Sequence, residues 1–262
     1  MLFRSGRSEK TRQSQKVIIG PWVHGGSVAP ETDVVKFGPD AKIDRLALQL
    51  RWFDYWLKGV DTGILKDPPV RVYLMGAERW LESNTWPLPG AQYLTYYLRA
   101  GRGRPTHSLN DGWLLPEPPG SEKPDEYAHD PYDPIPTIGG HGGLLQTSRG
   151  PLDQRPAESR ILSFTTDILQ KDLEVVGEVR ARFFASSSAV DTDFVLTLTD
   201  VYPNGYSAVL RQNGIRARYR LGEETESFLK PNEVYEFTLT LDAIANLFKA
   251  GHRIRLGIAS SS

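Results

Sequence analysis

The chain has no cysteine among its 262 residues, which excludes disulfide bridges, thiolate zinc sites and a cysteine nucleophile. Its compartment stays open, because secreted proteins need not be disulfide-bonded. Neither sign of charge is in excess. Thirty-one basic and 32 acidic side chains give a net charge of −1, so neither nucleic acid nor an anionic membrane surface is expected as a partner. No run approaches the roughly 20 consecutive apolar residues needed to cross a bilayer. Met1 to Gln15 carries Arg4, Arg7, Lys10 and Arg12 against Glu9 but lacks an apolar core, so it is not read as a secretory leader. His107, His129, His141 and His252 show no metal-ligand spacing, and no cofactor is expected. The four histidines are expected to be structural or at the surface, with His141, set among Gly139, Gly140, Gly142 and Gly143, the most able to reach a neighbouring site.

What is present begins with Val17-Ile18-Ile19-Gly20-Pro21-Trp22-Val23-His24-Gly25-Gly26. The β-branched run predicts a buried strand, and Pro21, which cannot donate to a sheet ladder and holds Gly20 extended, predicts its end. His24 then lies just past a strand's C-terminal end, where ligands and catalytic groups gather in open α/β sheets. The position suits a general base. By spacing alone, though, a lone histidine in a loop is more often a surface or hydrogen-bonded structural residue.

From Asp40 to Lys58 the period becomes helical. Ile43, Leu46, Ala47, Leu50, Phe53 and Leu57 recur at three- and four-residue steps, Asp40 is the expected cap, and Gly59 the stop. Trp52 and Trp56 widen the stripe, and the large aromatics here are read as core packing. Beyond Gly63, β-type runs take over: Val70–Met75, Ala91–Leu98, Arg160–Thr165, Val175–Ala185, Phe194–Tyr202, Ser207–Arg220, Val234–Leu241 and Arg253–Ile258. Asp242–Ala250 is expected to form a short helical turn closed by Gly251. The stretch from Gly101 to Gln154 is dense in proline and glycine and is expected either to serve a function or to meander over a surface. Many short strands with few helices predict a mostly β protein, a two-layer β-sandwich or jelly roll.

Several segments together resemble one family. These are Gly20-Pro21-Trp22-Val23-His24-Gly25, Arg51-Trp52-Phe53-Asp54-Tyr55-Trp56-Leu57-Lys58-Gly59, and Val72-Tyr73-Leu74-Met75-Gly76 with Trp80 and Trp86-Pro87. Further along come Tyr132-Asp133-Pro134-Ile135-Pro136-Thr137-Ile138-Gly139-Gly140, Asp191-Thr192-Asp193-Phe194, Leu198-Thr199-Asp200-Val201-Tyr202-Pro203-Asn204-Gly205 and Gly251-His252-Arg253-Ile254-Arg255-Leu256. In this order they resemble the C-terminal half of the cocaine-esterase and X-prolyl dipeptidyl-peptidase family of serine hydrolases. The resemblance implies an α/β-hydrolase with an appended jelly roll, cleaving a small-molecule ester, an amide or an Xaa-Pro peptide through a Ser-His-Asp triad. It implies that His24 is the triad base. It further implies three segments: an unassigned polar N-terminus over 1–15, a remnant of the catalytic domain over 16–64 (last strand, histidine loop and final helix), and an incomplete jelly-roll domain over 65–262.

The departures are specific. No serine stands in a Gly-x-Ser-x-Gly turn, Ser27 is too close to His24 to serve as one, and Met1 to Val23 contains no aspartate for the acid. The chain is therefore read as a fragment with one triad member, truncated at both ends and inactive alone. Its first sixty or so residues are expected to be poorly ordered or packed in a non-native way, because the helix's apolar face has no partner. Unpaired sheet edges invite self-association.

Other readings are weighed against this one. A non-catalytic binding module is the rival class, with Trp80, Trp86 and Trp113 as a sugar platform, against their packing the junction between sandwich and hydrolase core. Asp191-Thr192-Asp193 is read as a turn before a strand rather than a calcium site. Arg216, Arg218 and Arg220 are read as a solvated strand face, and Gly101-Arg102-Gly103-Arg104 as an ordinary turn rather than a nucleic-acid tract.

Overall fold

A computed structural model describes residues 5–23, 30–101, 108–140 and 150–261. A one-and-a-half-turn helix, α1 (Glu9–Ser14), is capped by the Ser8 hydroxyl, which accepts from the Thr11 N–H, and buries no residue. Strand β1 (Val17–Ile19) ends at Gly20, where Pro21 stops it as expected, although its residues are half-buried rather than buried.

Helix α2 spans Arg45–Lys58. Its start is a correction to the expected Asp40 cap. Pro39–Ala41 makes a single 3₁₀ turn instead, and Asp44 caps the helix by accepting from the Ala47 N–H at 3.0 Å. The reason is visible: the Asp40 and Ala41 carbonyls accept the indole N–H groups of Trp80 and Trp22, so the chain is held in that turn. Gly59, at φ +71°, closes the helix in a left-handed conformation. The helix is well formed, yet its apolar stripe faces solvent, with Leu46 74% and Leu57 76% exposed and Leu50 and Phe53 also exposed. The expected core packing of Phe53 is thus absent. Trp52 and Trp56 are half-buried and lie against each other at 5.8 Å.

Strands β2 (Val70–Leu74) and β3 (Arg79–Ser83) form a hairpin, and β1 joins it by pairing parallel with β2, Val17 opposite Val70 and Ile19 opposite Val72. Strands β4 (Tyr97–Arg99) and β5 (Gly112–Leu115) follow, then the single turn α3 (Arg155–Glu158) and β6 (Leu162–Thr165). The long strands come last: β7 (Leu173–Ala185), β8 (Asp193–Val201), β9 (Ser207–Arg216), β10 (Tyr235–Phe248) and β11 (Arg253–Ala259). A six-stranded sheet in the order β4-β5-β6-β11-β8-β9 faces the pair β10-β7. This is the expected β-sandwich.

Alternation explains the core. Leu162, Phe164, Leu196, Leu198, Leu256 and Ile258 point from the large sheet onto Phe183, Phe237, Leu239 and Ile244 of the pair. Phe237 is fully buried, with Phe183 stacked on it at 5.4 Å and Phe194 tilted against it at 4.7 Å. The opposite face of the large sheet carries polar residues, and register puts Thr165, Arg255 and Thr199 in one row. It is covered rather than wet. Arg255, on β11, pairs with Glu158 of α3, and the 108–140 stretch ties down across it through Asn110 to the Ser163 N–H, Tyr127 to Ser260 and the Ile135 N–H to Ser261.

Some strand expectations need correcting. Asp242–Ala250 is not a helical turn but belongs mostly to β10, where a register shift between Thr240 and Ala243 puts Asp242 at φ +59° and breaks the two-residue alternation. Gly251, at φ +87°, serves the β10–β11 turn. Of Ala91–Leu98 only the end is strand, and Tyr93 and Leu94 stay exposed. Strand β9 stops at Arg216 because Ala217–Tyr219 turns into a 3₁₀ segment, so Arg216, Arg218 and Arg220 do not share a strand face. Each has its own partner: Arg216 pairs with Asp193, Arg218 with Asp191 and Glu226, and Arg220 binds Ser227 and lies over Tyr235. Two strands, β3 and β5, escaped sequence reading because Arg79-Trp80-Leu81-Glu82-Ser83 and Gly112-Trp113-Leu114-Leu115 contain no β-branched residue and no two-residue alternation.

Candidate functional site

The sequence predicts one site residue, His24, and it lies outside the described residues. What the structure shows is how the chain is held on either side of it. Before it, Trp22 donates its indole N–H to the Ala41 carbonyl at 2.7 Å and lies against Trp80 at 5.9 Å. Gly20 is required there, because a Cβ would come within 2.4 Å of the Trp22 ring. Trp80, on β3, is itself fixed from three sides: its indole N–H donates to the Asp40 carbonyl at 2.9 Å, Tyr73 meets it edge-on at 5.2 Å, and the Arg71 guanidinium lies over it at 5.1 Å. Arg71 in turn pairs with Glu82 at 3.1 Å.

After it, the segment 30–37 is folded back onto the same hairpin. Glu31 accepts from the Phe37 N–H at 2.9 Å, and that bond, more than the Lys36 ammonium, holds its carboxyl below the usual range. The Thr32 hydroxyl accepts from the Val35 N–H, and the Tyr73 hydroxyl donates to the Phe37 carbonyl. Tyr73 is buried, and desolvation raises its pKa. Val35, Phe37, Ala41, Tyr73 and Ala208 form a small core of their own, with Trp80 packed against it. Gly140 and Gly150 lie here too: they exchange backbone hydrogen bonds, and a Cβ on Gly150 would come within 2.8 Å of the Pro30 carbonyl. His107 and His141 lie outside the described residues.

His252 is the structural histidine that the sequence reading expects. It is buried, its Nδ1 lies 2.8 Å from Asp200 Oδ1, and Tyr202 covers its ring at 4.3 Å. Asn246 donates to the other Asp200 oxygen at 3.4 Å. Sequence reading missed this buried cluster, since its members come from β8, β10 and the β10–β11 turn. Desolvation raises the Asp200 pKa above its ordinary 3.8, with His252 opposing, and pushes the Tyr202 hydroxyl up to about 12. The folded state therefore binds a proton at Asp200 more tightly than the unfolded chain does, and the stability this group lends at low pH is lost as pH rises through its folded pKa. The Asp200→Asn variant is expected to lack that decline. Urea midpoints measured from pH of about 4 upward should fall relative to the variant in the wild-type chain, and parallel curves would contradict this.

His129 is exposed. Among the described residues no cluster of three metal-ligating side chains occurs, and Asp191 instead accepts from the Arg218 N–H at 3.0 Å, just before β8 begins at Asp193. The three tryptophans do not share a platform. Trp80 packs with Trp22, Trp86 joins Val70, Leu74, Val17 and Ile19 in a separate cluster, and Trp113 sits on β5 in the large sheet. A cavity of about 20 Å³ between α3 and the polar sheet face, lined by Thr197, Thr199, Gln212 and Arg255, has room for about one water.

Comparison with known proteins adds the following. Residues 62–262 match the family of the X-Pro dipeptidyl-peptidase C-terminal non-catalytic domain. The chain is 35% identical over 258 residues to the cocaine esterase of Rhodococcus sp. (strain MB1 Bresler), covering 97% of this chain and 45% of that protein. It superposes on an aminopeptidase from the marine sediment archaeon Thaumarchaeota archaeon with a TM-score of 0.75 and 28% identity, over 96% of this chain and 43% of that one. With an α-amino acid ester hydrolase the TM-score is 0.72 at 26% identity, over 94% of this chain and 42% of the other. The chain thus spans less than half the length of the relatives it matches.

Proposed function

The chain belongs to the cocaine-esterase and X-prolyl dipeptidyl-peptidase family, whose C-terminal non-catalytic domain it carries, and on that premise we propose that it supplies the general base of a serine hydrolase. His24 is that base. The substrate is an acyl ester, an amide or an Xaa-Pro peptide bond, and the serine and aspartate come from polypeptide outside these 262 residues. The observation that carries the reading is the segment Gly20-Pro21-Trp22-Val23-His24-Gly25 at the C-terminal end of β1, inside the region of likeness to an esterase.

The chemistry assigned to His24 is proton transfer at its imidazole. The ring takes the proton of the serine hydroxyl as that oxygen attacks the acyl carbonyl, then returns it to the departing alkoxide or amine. In the second half it draws a proton from water, which attacks the acyl-serine, and gives that proton back to the serine. A carboxylate behind the ring would fix its tautomer, and the pair described at His252 is not that group, since its ring is sealed under Tyr202.

The rival sugar-binding reading finds no support in the scattered tryptophans. The proposal is tested with a fluorophosphonate probe, which reacts only with an activated serine. The isolated chain is expected to take up no stoichiometric label, and a label on any of its own serines would overturn the reading.

A further inference from the structure

We propose that the covered polar face of the large sheet is a binding site for one structural water. The water is held between Glu158 of α3, the Arg255 guanidinium of β11 and the hydroxyl of Thr197 or Thr199 on β8.

Two independent observations meet there. The first is the cavity of about 20 Å³ lined by Glu158, Arg255, Thr197, Thr199 and Gln212, which exceeds the about 10–15 Å³ that a single water needs. The second is Glu158 itself. Its side chain is 6% exposed, and its other oxygen pairs with Arg255, but Oε1 has no hydrogen-bond partner among the described residues. A carboxylate oxygen taken out of water without a donor is a costly arrangement, and buried polar atoms are almost always satisfied by protein or by ordered water.

The chemistry of the lining selects the occupant. An ionised carboxylate only accepts, so whatever sits beside Oε1 must donate. Thr197 Oγ1 accepts from Gln212 Nε2 at 2.8 Å, and Thr199 Oγ1 accepts from the Ser207 hydroxyl at 2.9 Å, so each threonine keeps its own proton to give. Arg255 spends Nε on Thr165 and one Nη on Glu158, and its guanidinium has further N–H groups to offer. The occupant must therefore accept as well as donate, and water does both through about three hydrogen bonds, the usual number for a buried one. A metal cation does not suit the site, because Arg255 already neutralises Glu158 and would repel a second positive charge.

The site is also roofed. Ile135 and Pro136 form one wall, and the stretch that carries them is tied down at three points. The Ile135 N–H donates to the Ser261 hydroxyl at 2.8 Å, Gln154 donates to the Ile138 carbonyl at 2.7 Å, and Arg160 donates to the Asp133 carbonyl at 2.6 Å. Exchange of the water then follows local opening of this stretch and is slower than surface hydration.

The test reads the water in two ways. In crystals of the chain, density for one water is expected within about 3.2 Å of Glu158 Oε1 and of the Thr197 or Thr199 hydroxyl. In solution, oxygen-17 relaxation dispersion counts long-lived waters. Glu158→Leu combined with Arg255→Met, which replaces both polar anchors by apolar groups, is expected to hold one fewer than wild type. Circular dichroism shows whether that double variant keeps the sandwich, and if it does not, the crystal decides alone. A protein donor on Oε1, no water beside it, or an unchanged count in the folded variant would overturn the proposal.

Discussion

Replacing His24 by alanine in the completed enzyme is expected to lower kcat by about 10⁴- to 10⁶-fold, the largest effect of any single change in this chain. The expectation follows from the role assigned to the ring. A serine hydroxyl is a weak nucleophile until its proton has somewhere to go, and loss of a triad base costs nearly as much as loss of the whole triad. KM should change little, because in the proposed role the ring acts on a hydroxyl rather than holding the substrate. A structural histidine would behave differently, with a fall in thermal stability that tracks a partial fall in activity. The steady-state rate on an activated ester, read beside the melting temperature, separates the two.

The second large effect concerns stability. Arg255 and Glu158 form an ion pair with side chains only 7% and 6% exposed, and Arg255 also donates from Nε to the Thr165 hydroxyl at 2.9 Å. Glu158 Oε1 has no hydrogen-bond partner among the described residues. Arg255→Ala therefore strands a carboxylate in a desolvated site, at a cost of about 3–5 kcal/mol. That is a large share of the about 5–15 kcal/mol that holds a typical domain together. Arg255→Met combined with Glu158→Leu removes both charges and should recover most of the loss, because the penalty lies in the unpaired charge rather than in the pair's net worth. Urea unfolding of the three chains checks this. Equal destabilisation of the single and double variants would contradict it.

The sandwich was legible in the sequence because its strands alternate. Phe237, Leu239 and Leu241 are buried, as their two-residue period requires, and Ile254, Leu256 and Ile258 likewise. The same rule failed at Asp242, where one irregularity in β10 shifts the period and made a continuous strand look like a helical turn. Helix α2 was legible in its period and its stop but not in its start, which depends on two indole groups remote in sequence. The environment of its stripe was equally beyond local pattern, which reports that a face is apolar and not what covers it. The candidate site was legible only as a motif. His24 stood out by its place after a strand, whereas the contacts of Trp22 and Tyr73 with Trp80 join residues remote in sequence through the pairing of β1 with β2 and could not be found by spacing. The His252–Asp200 pair was invisible for the same reason, being 52 residues apart in sequence.

The fluorophosphonate and His24→Ala experiments meet in one measurement. Purified chain, purified hydrolase portion carrying the Gly-x-Ser-x-Gly turn, and their mixture are each assayed on an activated ester. The account predicts no turnover from either part and saturable turnover from the mixture, with the mixture made from the His24→Ala chain silent. Turnover by the chain alone, or equal turnover from mixtures with and without His24, would contradict it.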